Sequence, residues 1–223
     1  MISAFAPALH ILPQSQRSLW PSLAPLAQLG FVLYGGTAIA LRLGHRISVD
    51  FDFFSDQPLD RRKLQTVPFV KNSKMIIEEP ESLTFLVEPS GTDSGSVKLS
   101  LLGGIHFGRV GEPGWSTDGI IRAASLLDLF GTTLKVILQR AEAKDYLDIA
   151  RILESGLPLA RGLGASQTLF GATFQSAECL KALSFFGAGD LATLGTAPRE
   201  SLLSAATATR QVETVPLLAR ILT

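Results

Sequence analysis

The chain carries 20 Lys and Arg against 20 Asp and Glu in 223 residues, so its formal net charge is zero. No global field draws it to nucleic acid, and a polynucleotide partner must be held by a local patch. One cysteine, Cys179, excludes an intramolecular disulfide and fits a reducing compartment. With no basic segment leading into a long apolar run, and no stretch of about 18 uninterrupted apolar residues, the expectation is a cytoplasmic protein with no membrane partner.

Residues 1–15 read as irregular, and 16–29 as helix interrupted near Pro21 and Pro25. Residues 31–34 form an apolar run that reads as a strand. The chain turns at Gly35-Gly36, continues as a helix over 37–44 and re-enters a strand over 48–54. On that strand Asp50 and Asp52 are two apart and share a face, while Val49, Phe51 and Phe53 turn to a core. Pro58 sits near the start of a helix that runs to about residue 67. Residues 74–79 and 83–88 read as strands joined at Pro80-Glu81-Ser82, a connection short enough for a hairpin. Residues 96–102 set Val97, Leu99 and Leu101 against Ser96, Lys98 and Ser100, the alternation of a half-buried strand. A glycine-rich loop over 103–113, with His106 and Arg109, is placed as a mobile flap. Residues 125–141 and 143–155 read as helices, the second ending near Gly156 and Pro158. Beyond about residue 156 charges thin out and Ala, Leu, Gly, Ser and Thr dominate, which points to three or four short packing helices. The expected class is α+β, with a core sheet and flanking helices over 1–124 and a helical region over 125–223.

Function is sought in roughly 30–150. Two aspartates side by side on a core strand call for a cation, and Mg²⁺ prefers one or two carboxylates together with substrate phosphates. Backbone N–H groups at a glycine turn that opens a helix bind phosphate. One unit thus supplies a phosphate cradle and a metal anchor. Taken singly, a Gly-Gly pair is a turn and two aspartates are an exposed edge; the conjunction carries the reading. Asp145 and Asp148 share a helix face, as do Arg140 and Lys144, and these groups alone fit a solvated, salt-bridged surface equally well. Lys135 interrupts an apolar helix face, so it either snorkels or meets an anion. His45 lacks nearby histidine partners and reads as a hydrogen-bonding residue, Arg46 as a neutraliser of an aspartate, and Arg42 as exposed. Arg61, Arg62, Lys63, Lys71 and Lys74 make a local basic patch able to steer an RNA, or a plain solvated face.

Strand, Gly-Gly, helix and Asp-x-Asp on the next strand resembles nucleotidyltransferases of the polymerase-beta type. The finer wording from Gly35 through Phe54 resembles the AbiEii/AbiGii family of nucleotidyltransferase-like toxins from abortive-infection and type IV toxin–antitoxin systems. So does the run from Lys135 to Ile149, with its helix lysine, its arginine and then Lys144-Asp145 and Asp148. The resemblance covers about 31–153. It implies a polymerase-beta-type core, with Gly35, Gly36 and Thr37 as the phosphate turn and Asp50 and Asp52 as catalytic ligands of Mg²⁺ or Mn²⁺. It implies nucleotide contacts from Arg46, Lys135 and Lys144, with Asp145 orienting the lysines or assisting deprotonation. The implied activity moves a nucleoside monophosphate from an NTP to an RNA such as tRNA, or to a protein hydroxyl. The implied companion is a cognate antitoxin. Ser100 departs from the pattern, since it stands where a third carboxylate is expected. That departure keeps a second reading open, a nucleotide-binding or interaction module of the same fold that is catalytically weak or inactive.

Overall fold

The computed structural model describes residues 4–89 and 95–223. They divide into two compact units, one of Met1–Gly108, Glu112–Ala124 and Arg220–Thr223, the other of Arg109–Gly111 and Ser125–Ala219. Among the described residues no helix is long and apolar enough to cross a membrane.

The first unit is built on one mixed sheet. Its strands are β1 (Ala4–Phe5), β2 (Val32–Tyr34), β3 (Asp50–Phe54), β4 (Lys74–Glu79), β5 (Ser82–Val87), β6 (Val97–Leu102), β7 (Gly114–Ser116) and β8 (Arg122–Ala123), in the order β1-β7-β8-β2-β3-β6-β5-β4. Helices α1 (Gln14–Leu19), α2 (Ala24–Gln28), α3 (Gly35–Leu43), α4 (Arg61–Leu64) and α5 (Pro68–Lys71) accompany it. Alternation along β3 and β6 decides the faces. Phe51, Phe53, Leu99 and Leu101 are fully buried, and Trp20 packs on Phe51 with ring centroids 6.4 Å apart. Asp50, Asp52 and Phe54 take the opposite, half-buried face.

Several expectations are corrected. Of residues 1–15, those beyond residue 3 are partly ordered: Ala4–Phe5 pairs in parallel with β7, and α1 begins at Gln14 (residues 1–3 lie outside the described residues). Val49 does not reach the core: β3 begins one residue later and Val49 is 59% exposed. The helix expected from Pro58 to about residue 67 is the single turn α4, and α5 is a separate turn beyond it. Pro68 cannot donate to a preceding turn and pushes Val67 into an extended conformation (φ −75°, ψ 120°), which breaks the run. The loop over 103–113 is anchored rather than free. Gly103, Gly104 and Ile105 donate to the carbonyls of Glu81, Gln57 and Ser55, each at 3.0 Å. At the outer edge of the sheet, β4 is exposed along its whole length and carries a register shift between Met75 and Ile77.

The second unit is helical: α6 (Leu126–Val136), α7 (Ala143–Glu154), α8 (Leu159–Phe170), α9 (Ser176–Ala182) and α10 (Thr196–Ala208). Helix α6 stops at Val136, five residues short of the expected end at 141. Its start is fixed twice. The Ser125 hydroxyl accepts from the Asp128 N–H at 3.0 Å. Asp128, fully buried, accepts from the Val110 and Gly111 N–H groups at 2.7 and 3.1 Å, which ties down Arg109–Gly111. The buried Ser166 hydroxyl of α8 donates to the Gly131 carbonyl of α6 at 2.9 Å, fastening those two helices together.

Candidate active site

The site grows from the junction of β2, α3 and β3. Val32, Leu33 and Tyr34 are buried and end directly in α3, whose first residue, Gly35, has φ +69°. That left-handed conformation is open to glycine at no steric cost. Glycine is required there a second time: a Cβ on Gly35 would lie 3.0 Å from Oδ2 of Asp52. The turn and the carboxylate are therefore in contact. The first-turn N–H groups of an α-helix have no intrahelical acceptor and carry the positive end of its dipole, so Gly35, Gly36 and Thr37 present donors beside Asp52.

Thr37 does more than the sequence indicates. Its buried hydroxyl contacts the Ser48 hydroxyl at 2.7 Å and donates to the Asp50 carbonyl. The side chain staples α3 to β3, and only its backbone remains for a phosphate. Asp50 and Asp52 project from the same face of β3. On the parallel neighbour β6, Lys98 is in register with Asp50 and Ser100 with Asp52. Ser100 accordingly stands beside Asp52, and its hydroxyl accepts from that of Thr84 on β5 at 3.4 Å. Tyr34, Phe54 and Phe107 close one side as an aromatic cluster, with Tyr34 stacked on Phe54 at 4.8 Å and edge-on to Phe107 at 5.9 Å.

Among the described residues no group of three or more His, Cys, Asp or Glu is placed to hold a metal. The donor set is two carboxylates with a hydroxyl alongside, and Gly35 leaves open the space next to Asp52 that a Cβ would fill. That set fits a Mg²⁺ ion completed by substrate phosphates and does not fit an all-protein cage.

The flanking cations fall into different places. The Arg46 guanidinium donates to the Ile47 carbonyl at 3.0 Å. Arg42 is not on an open face: it donates to the Ala123 carbonyl at 3.0 Å and lies over the Phe5 ring at 4.3 Å, holding α3 against β8 and β1. His10, remote in sequence, places its ring Cε1 3.6 Å from where a Gly44 Cβ would be, at the end of α3. In the basic patch, Arg61 pairs with Glu78 and donates to the Glu79 carbonyl, so part of that charge is spent on the β4 edge.

The second unit holds the remaining predicted residues. Lys135 donates to the Thr173 carbonyl and lies 5.9 Å from the Phe170 ring centre. Lys144 pairs with Glu142 at 2.7 Å, and Glu142 also approaches Arg140 at 3.5 Å. Hydrogen bonding from Lys144, with Arg140 close by, holds the Glu142 carboxyl below its ordinary range. Asp145 is 5% exposed, and both of its oxygens are occupied by Arg140, at 2.8 and 3.1 Å. Asp148 is 1% exposed. The two aspartates thus belong to the interior, not to a solvated surface. The bidentate pair leaves the Arg140 guanidinium half-exposed on a rigid mount. Sequence reasoning set Arg140 beside Lys144 on a helix face, whereas the structure joins it to Asp145. It precedes α7, so the i,i+4 spacing to Lys144 does not apply, and its true partner lies five residues on.

A family model described as nucleotidyl transferase AbiEii toxin, type IV TA system, matches residues 23–210. An uncharacterized protein of Aquifex aeolicus (strain VF5) is 28% identical over 122 residues, or 53% of this chain and 55% of that protein. The chain therefore spans about half the length of this curated relative. Among solved structures, MenT4, the nucleotidyltransferase toxin Rv2826c from Mycobacterium tuberculosis H37Rv, matches with a TM-score of 0.50. That match has 12% identity over 89% of this chain and 88% of that one, a likeness of fold.

Proposed function

The chain belongs to the AbiEii nucleotidyltransferase toxin family of type IV toxin–antitoxin systems, and from that premise we propose that it transfers a nucleoside monophosphate from an NTP to an acceptor hydroxyl. The acceptor oxygen forms a bond to the α-phosphorus as the bond to the β-phosphate oxygen breaks. Pyrophosphate leaves with the bonding pair, and the acceptor proton passes to solvent. The reading places the protein in the cytoplasm as the toxin partner of an antitoxin, with RNA, tRNA in particular, as the acceptor class.

The observation that carries this reading is the contact between Gly35 and the Asp52 carboxylate. A donor-lined turn and an acid pair that touch can hold a polyphosphate and its counter-ion together. Asp50 and Asp52 are the residues that would bind Mg²⁺ or Mn²⁺, which supplies charge neutralisation of the triphosphate when bound. The N–H groups of Gly35, Gly36 and Thr37 donate to phosphate oxygens. Arg46, Lys135 and Lys144 are the cations assigned to the nucleotide, and Asp145 acts through Arg140. Positioning and electrostatics provide most of the rate in such a reaction, because little covalent chemistry falls to the protein.

The test is incubation with each labelled NTP, Mg²⁺ and total RNA, using wild type, Asp50→Ala and Asp52→Asn. Label transfer in wild type, and its fall by about a hundredfold or more in both variants, is expected. Wild-type transfer by Asp52→Asn overturns the reading. One specific observation favours a second reading. Ser100 is in register with Asp52, so no third carboxylate stands there to activate the acceptor hydroxyl. Calorimetric NTP binding with Mg²⁺, without turnover on any acceptor, would establish a nucleotide-binding module instead.

A further inference from the structure

Within the helical unit, a cavity of about 640 Å³ opens beside Lys135. Its lining includes Gln139, Gln175, Glu178, Lys181 and Phe185. Phe185 is 64% exposed, an unusual place for an aromatic ring of that size. The ring is not loose. Its neighbour Phe186 turns inward, packing edge-on to Tyr146 at 6.4 Å and under the Arg199 guanidinium at 5.7 Å. The far edge of Phe185 rests over Gly187, where a Cβ would come within 2.8 Å of it. An anchored segment therefore presents a flat apolar face to solvent.

The polar groups around that face suit one kind of visitor. Lys135 and Lys181 against Glu178 leave the cavity one positive charge, with Lys181 and Glu178 paired at 2.9 Å. Gln139 and Gln175 offer amides, each able to donate and accept; Gln175 is positioned by its bond to the Ala172 carbonyl at 3.2 Å. An aromatic platform, amides and lysines in one recess match a base, its edge and its phosphate.

We propose that this cavity binds one nucleotide of a single-stranded RNA acceptor, with the base stacked on Phe185 and the phosphate on Lys181. The assignment rests on the transferase reading and gives its RNA acceptor a binding place on the helical unit. The base lies flat on the ring, and the glutamine amides meet its edge. Recognition is thus tolerant of sequence, because every base has a stacking face.

The experiment measures binding of a fluorescently labelled homopolymeric oligoribonucleotide to the full chain by anisotropy, with mononucleotide binding followed in parallel by calorimetry. Phe185→Ala weakens oligonucleotide binding about tenfold. Phe185→Trp retains it, and the new indole is quenched on stacking. Lys181→Gln lowers the salt dependence by about one unit of slope. Mononucleotide affinity is the same in all three variants. Oligonucleotide binding by Phe185→Ala equal to wild type overturns the proposal. So does a parallel fall in mononucleotide affinity, which would give the cavity to the NTP. Transfer to protein with no oligonucleotide binding also overturns it and leaves the transferase reading standing; loss of that reading shows separately, as wild-type transfer by Asp52→Asn.

Discussion

At the scale of single residues, Gly35 and Gly30 form a natural pair for testing the site. Both have positive φ, +69° and +84°, so alanine at either strains the backbone by about 1–2 kcal/mol. They differ in surroundings: a Cβ at Gly30 meets nothing within 4 Å, while one at Gly35 meets Oδ2 of Asp52 at 3.0 Å. Gly35→Ala therefore combines the strain with displacement of the carboxylate and should cost about a hundredfold in transfer. Gly30→Ala should lower the denaturation midpoint and leave transfer intact. Steady-state assays on both proteins decide it; equal activity losses would mean that the Gly35 contact has no role in the chemistry. The shared face of Asp50 and Asp52 was legible from period-two alternation alone. The stapling hydroxyl of Thr37 was not, because its partners, the Ser48 hydroxyl and the Asp50 carbonyl, are reached only once α3 lies on β3.

At the scale of elements, α6 owes its start to a buried carboxyl with three donors around it. Asp128 accepts from Val110, Gly111 and the Ser125 hydroxyl. Burial pushes this carboxyl above its ordinary value of 3.8, against the opposing pull of those hydrogen bonds and of Arg109. Ionisation thus costs the folded state more than the unfolded one. The stability Asp128 contributes is full below its unfolded pKa and is lost as pH rises through the raised folded value. Asn at this position keeps one acceptor and leaves a backbone N–H unmatched. Asp128→Asn should be destabilised by about 1–3 kcal/mol at the acid end. Its deficit relative to wild type should narrow as pH is raised from below the ordinary value of 3.8 through the higher folded one. Urea midpoints across that range are the measurement, and a gap that widens with pH would contradict the mechanism. The ends of α6 and α7 also show what spacing can convey. Apolar periodicity located both helices, whereas the Arg140–Asp145 fork spans five residues across a helix boundary, where no i,i+4 rule applies.

At the scale of the whole molecule, each unit carries its own core, and Cys179 reports on the helical one. The thiol is fully buried, donates to the Leu134 carbonyl at 3.8 Å and is pushed by burial to about 12. Native protein should therefore resist thiol reagents, with modification at neutral pH rising only as denaturant opens that unit. Rapid labelling in native buffer would place Cys179 outside the core. The long strands and the helices were readable because each spans several periods of its pattern. The two- and three-residue strands β1, β7 and β8 were not, since Ala4 finds its place only opposite Trp115, far along the chain. On the other side of the sheet, β4 offers Met75, Ile76 and Ile77 to solvent, the sort of ladder end on which a stray chain could continue hydrogen bonding. The kink at Met75–Ile77 and the Arg61 clasp on Glu78 and Glu79 are features that work against such continuation, since a bulged edge held by a charged side chain is a poor template for another strand.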